Sequence, residues 1–115
     1  MPILRLKLEV EEVGRGTIFS TQQSLAEDEV GWQEYEVATA TSDQDIAFNL
    51  TNGITTIDLM LIKSDQTISY EINGADTTIT LDAGCVHVLW GTNITALTVT
   101  NASGSTANLK ILIAG

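Results

Sequence analysis

The sequence predicts an all-β protein, an antiparallel β-sandwich or small barrel of jelly-roll-like type, and three observations carry that prediction. From Thr55 onward, short runs rich in Ile, Leu, Val and Thr recur every eight to twelve residues, separated by Gly, Asn, Asp and Ser signals, with hardly a stretch of helical periodicity. A segment is also said twice: Ser42-Asp43-Gln44-Asp45-Ile46-Ala47-Phe48-Asn49-Leu50 returns 22 residues later as Ser64-Asp65-Gln66-Thr67-Ile68-Ser69-Tyr70-Glu71-Ile72, and Thr55-Thr56-Ile57-Asp58-Leu59 is answered by Thr77-Thr78-Ile79-Thr80-Leu81. Finally, 115 residues at 43% hydrophobic content make one domain with a core of its own and leave no room for two lobes around a cleft.

Taken in order, Met1 to Val10 alternates Leu4, Leu6, Leu8 and Val10 with Arg5, Lys7 and Glu9, a strand pattern where an export leader would be continuously apolar. Gly14-Arg15-Gly16 breaks that strand, Thr17-Ile18-Phe19 makes a short run, and residues 22–30 fit either helical turns or an extended arm. Trp32 to Val37 resumes strand character. Residues 1–40 are therefore expected to form an N-terminal strand and acidic arm, and residues 41–115 the sandwich core. Each copy of the repeat reads as one β-hairpin, with Asn52-Gly53 and Asn73-Gly74 as turn signals. Further strands are expected at 55–63, 68–72, 77–81, 86–90, 97–101 and 109–113. Leu59-Met60-Leu61-Ile62 is apolar on both faces, which predicts a central strand covered on both sides, one of them by another subunit.

Fifteen Asp and Glu stand against five Lys and Arg, a net charge of -10. Such a chain repels nucleic acid and anionic membrane surfaces, so neither is expected as a partner. No apolar run approaches the ~20 residues that span a bilayer. No Lys or Arg occurs between Gly16 and Ile62, so the negative charge concentrates there.

The inventory for chemistry is thin. There is one His and one Cys, and Cys85 and His87 sit two apart on a predicted strand, hence on one face. Flanked by Val86 and Val88, they read as buried structural residues, Cys85 as a small hydrophobe, ahead of a thiol–imidazole pair. Asp43, Asp45 and Asp65 offer calcium-type oxygen ligands, but at spacings unlike an EF-hand loop. They read better as residues that fix their own turns. The expectation is no enzyme, no metal and no cofactor. Trp32, Tyr35, Tyr70 and Trp90 read as core and interface anchors, with a sugar-stacking surface as the alternative.

The stretches Ile57 to Gln66, Ile72-Asn73-Gly74, Thr78 to Gly84 and Leu97 to Gly104 resemble the small β-rich structural proteins of tailed bacteriophages, over residues 42–115. The resemblance implies a non-enzymatic virion protein assembled in the host cytoplasm. Its role would be a capsid decoration, or cement, protein on the head surface, bound to the major capsid or another virion protein as a homotrimer. The alternative is a carbohydrate- or receptor-binding module of a tail or fibre, which would show Trp90 and Tyr70 clustered toward solvent. In the cement reading Trp32 and Tyr35 anchor the contact, and Glu27, Asp28 and Glu29 form an acidic rim that meets basic shell patches.

Overall fold

The computed structural model of the chain describes residues 3–26, 30–47, 56–74 and 77–115. Among the described residues it holds ten strands: β1 (Ile3–Glu12), β2 (Gly16–Ala26), β3 (Val30–Val37), β4 (Thr41–Ile46), β5 (Ile57–Ser64), β6 (Ile68–Ile72), β7 (Ile79–Leu81), β8 (Val86–Ile94), β9 (Leu97–Asn101) and β10 (Ala107–Ala114). Strands β3 to β10 make two four-stranded sheets, ordered β3-β10-β5-β8 and β4-β9-β6-β7, with every pairing antiparallel. Two sheets of four, with most connections crossing from one sheet to the other, is the jelly-roll arrangement that the strand pattern predicts.

The core lies between the sheets and follows from period-two alternation. Met60 and Ile62 of β5, Leu109, Ile111 and Ile113 of β10, Ile68 and Tyr70 of β6, and Leu97 and Val99 of β9 all point inward and are buried. Each fully buried aliphatic side chain of this size contributes about 1.5–3 kcal/mol by leaving water. The β5 strand is central in its sheet, and its other face is apolar too, at Leu59 and Leu61.

The repeat reads differently in three dimensions. In the second copy β6 and β7 do pair as a hairpin, and Asn73 and Gly74 both adopt the left-handed backbone (φ 56° and 69°) that an Asn-Gly turn supplies. In the first copy β4 and β5 lie in different sheets, so those residues form no hairpin, and Asn52-Gly53 falls outside the described residues. The first strands of the two copies, β4 and β6, instead flank β9 on either side. Ile46 and Ile72 both stand opposite Leu97, a register of 26 residues where the sequence echo has 22. Similar composition suits both strands because each packs an alternating face on the same neighbour, and composition does not encode pairing.

The expected arm of residues 1–40 divides into two parts. β3 belongs to the sandwich, paired along its whole length with β10. β1 and β2 form a separate long hairpin, extended through Ala26 with no helical turn. Its turn uses Gly14 and Gly16 at positive φ, closed by the Arg15 amide donating to the Glu12 carbonyl at 2.9 Å and by an Arg15–Glu12 ion pair at 3.2 Å.

Polar clamps fix the loops. Asn101 is fully buried, and its Nδ2 donates to the carbonyls of Val37 (3.0 Å), Ala38 (3.3 Å) and Ser105 (2.8 Å). Its Oδ1 accepts from the Ser103 amide (3.1 Å) and hydroxyl (2.7 Å). This one side chain ties the end of β3 to the β9–β10 loop. Asn73 does the same for the β8–β9 turn, accepting from Thr95 and Ala96 amides and donating to the Asn93 carbonyl.

Candidate functional site

The outer face of the β3-β10-β5-β8 sheet, the side turned away from the core, sets this molecule apart from a sandwich with one wet face. Cross-strand register builds it in rows. Val30, Ala114, Leu59 and Trp90 make one row; Trp32, Leu112, Leu61 and Val88 the next; Glu34, Lys110, Lys63 and Val86 the third. Two of the three rows are wholly apolar, where a solvent-facing antiparallel sheet normally alternates to polar residues. The β1–β2 hairpin covers part of this face, with Leu4 and Leu6 packed, alongside Val30, Leu61 and Leu112, against Leu59 and Ala114. The rest is open.

At one margin lies β3, an edge strand. Trp32 is 60% exposed there, and Glu34 and Glu36 follow it on the same face, both exposed. A large aromatic beside carboxylates on an outward edge is a surface built for contact, because the indole offers apolar area and the acids a charged rim. Beside Trp32, the indole, Leu61, Val86 and the Lys63 and Lys110 stems line a cavity of about 150 Å³.

Tyr35 does not join Trp32. The two are three residues apart on a strand and so face opposite sides of the sheet. Tyr35 packs against the core, its hydroxyl engaged by the Gln33 side chain and the Ala47 carbonyl, and burial raises its pKa above the ordinary tyrosine value. It braces β3 against the end of β4 from the core side of the sheet, so it shares no face with Trp32. Glu27, Asp28 and Glu29 lie outside the described residues.

Cys85 is exposed, in the turn before β8, and not the buried hydrophobe expected. Its amide donates to the Asp82 carbonyl at 3.0 Å, so a tight turn holds it out of the core. His87 alone points inward, where Tyr70 Oη lies 2.8 Å from Nδ1. Nδ1 accepts that bond when the imidazole carries its proton on Nε2. Tyr70 is 1% exposed, and burial raises its pKa. No cysteine–histidine pair forms, and the solvent-facing Trp90–Tyr70 cluster required by a sugar-binding surface is absent because Tyr70 is core.

Asp65 and Asp43 each bind a residue of a neighbouring strand. Asp65 accepts from the Asn108 amide and Nδ2, both at 2.8 Å, and those two bonds lower its pKa below the ordinary value. Asp43 receives the Thr100 hydroxyl at 3.4 Å, and its own amide donates to that hydroxyl at 3.0 Å. Among the described residues no three His, Cys, Asp or Glu side chains gather as a metal site would need.

No family model matches this chain, and no curated protein matches it. Among solved structures, the cupin domain of Schizosaccharomyces pombe Cnp3 is similar, with a TM-score of 0.53 over 96% of this chain and 86% of that one, at 11% identity. The likeness speaks to the fold, a jelly-roll sandwich, and to nothing finer at that identity.

Proposed function

We propose that this protein is a non-enzymatic docking protein that binds a larger protein assembly through the exposed margin of its first sheet, and that the assembly is a virion. In that reading it is a capsid decoration protein carried as a symmetric homotrimer on the head surface. The single observation that carries the docking role is Trp32, mostly exposed on an edge strand and followed on the same face by Glu34 and Glu36. The virion assignment draws on the sequence resemblance to phage structural proteins, and the jelly roll is an architecture that viral capsid domains use.

The mechanism is mechanical. Trp32 inserts into an apolar depression of the shell and is desolvated there, while the glutamates meet basic groups around it. Bridging a joint between shell subunits adds the binding free energy to the work needed to separate them, by mass action. The test uses heads of the phage that encodes the chain, stripped of this protein and refilled. Cement activity predicts that added protein raises the temperature at which packaged DNA is released. Release at the same temperature with and without it, at saturating protein, rejects the cement role.

A further inference from the structure

Only two Lys or Arg stand on the sandwich, Lys63 of β5 and Lys110 of β10, and they are directly opposed partners on the two central strands of the first sheet. The other three, Arg5, Lys7 and Arg15, belong to the β1–β2 hairpin. Both sandwich lysines are exposed, on the outer face. Cross-strand partners have Cβ atoms about 4.5–5.5 Å apart, and like charges placed so destabilise the sheet.

Counter-charges are at hand and are not engaged. Glu34 of β3 stands opposite Lys110, yet the ion pairs among the described residues are Lys7–Glu9 and Arg15–Glu12, both within the hairpin. Asp65 shares a cavity with the two lysines, but its two oxygens already accept from the Asn108 amide and Nδ2. In a chain with fifteen acids, the lysine pair faces outward with no carboxylate of the described residues bonded to it.

The methylene stems of the same lysines have apolar neighbours. With Trp32, Leu61 and Val86 they wall the cavity of about 150 Å³ on this face. A cavity of that size holds an apolar group as large as benzene. Running inward from the β3 edge, the surface therefore offers the Glu34 carboxylate, then two ammonium groups, with an apolar hole beside them.

We propose that the partner in the docking reading above presents an acidic and apolar segment: an Asp or Glu carboxylate seated between Lys63 and Lys110, one oxygen to each ammonium, with a neighbouring apolar side chain in the cavity beside Trp32. The inference rests on that reading and names the partner's chemistry. Charge complementarity carries it, because an incoming carboxylate turns a repulsive pair into two charge-assisted hydrogen bonds. It also fixes the direction in which the partner's basic groups reach Glu34 and Glu36.

The test compares saturation binding to stripped heads for wild type, Trp32→Ala and the double variant Lys63→Met/Lys110→Met, which removes both charges and keeps unbranched apolar stems. The double variant should bind about tenfold or more weakly, with a shallower dependence on salt. Free in solution it should melt no lower than wild type, since the repulsion is gone, so a lost contact is told apart from a lost fold. Lys63→Arg/Lys110→Arg keeps both charges and should keep the binding. Amidating the carboxylates of the heads with carbodiimide and glycinamide should weaken wild type and leave the double variant where it was. Equal affinity of wild type and the double variant, with Trp32→Ala weaker than both, overturns the lysine seat and leaves the docking reading standing. A wild type with no saturable binding overturns both. Amidated heads that hold wild type as tightly as untreated ones overturn the carboxylate, and a double variant that melts well below wild type overturns the argument from opposed charges.

Discussion

Replacing Asn101 by Ala should cost about 2–4 kcal/mol. The side chain is fully buried; its two Nδ2 hydrogens are shared among three carbonyls and its Oδ1 accepts twice, five contacts in all. Its bond to the Val37 carbonyl lies in the interior, and truncation leaves that acceptor without its partner at about 1–3 kcal/mol. The remaining four bonds are at the rim of the loop, where water replaces them in part, and together they add about 1 kcal/mol. A domain of this length has roughly 6–17 kcal/mol to lose. In urea, with a slope of about 2 kcal/mol/M, the midpoint should fall by about 1–2 M. Asn101→Asp separates donation from space filling, because a carboxylate keeps the shape yet presents acceptors to three carbonyls. It should be at least as damaging as Ala. A midpoint within about 0.3 M of wild type for either variant, at an unchanged slope, would refute the clamp and with it the claim that β3 is held in place from its Val37 end.

Other consequences follow from single features. Ala40 has φ of 60°, a conformation costly for an L side chain, so Ala40→Gly should stabilise by about 0.5–1 kcal/mol, read in the same urea titration. Tyr70→Phe removes the hydroxyl that meets His87 and should cost about 1–2 kcal/mol, with a change in the His87 ring signals by NMR. An unaltered His87 spectrum would contradict the bond. Asp65 has a folded pKa below its ordinary 3.8, so its ionised form is favoured by folding. The stability it contributes is present above that value and is lost as pH falls through the lower folded one. The melting temperature of wild type should therefore drop more steeply below pH 3.8 than that of Asp65→Asn. Parallel curves would show that the Asn108 bonds carry no linkage.

The strands were legible because alternation is local. The expected run 68–72 is β6 residue for residue, 97–101 is β9, and 109–113 lies inside β10. The two apolar faces at Leu59 to Ile62 announced a covered outer face before any pairing was known. Pairing itself was not legible. The 22-residue echo points to two hairpins, but a strand's composition records which face is buried and not which neighbour it meets. The same limit hid the rows that join Trp32 to Val88 and Val30 to Trp90, since they run across four strands distant in sequence.

The placement of the aromatics was partly legible. Trp32 is exposed on the outer face of an edge strand, and the odd spacing between positions 32 and 35 already implies that Tyr35 faces the other way. Burial of Cys85 is not legible from its apolar neighbours, because a turn at Asp82 to Cys85 precedes the strand and holds the residue outside it. Glu34 and Glu36, which share the Trp32 face, carry the same alternation signal and belong with it.

The docking role is tested most directly by saturation binding to stripped heads, followed by co-sedimentation, for wild type and Trp32→Ala side by side. Binding through the β3 margin predicts a saturable isotherm with a fixed number of copies per head, weakened by salt, and an affinity about 30-fold or more lower for Trp32→Ala. Equal affinity for the two proteins, or no saturable binding by wild type, would contradict it.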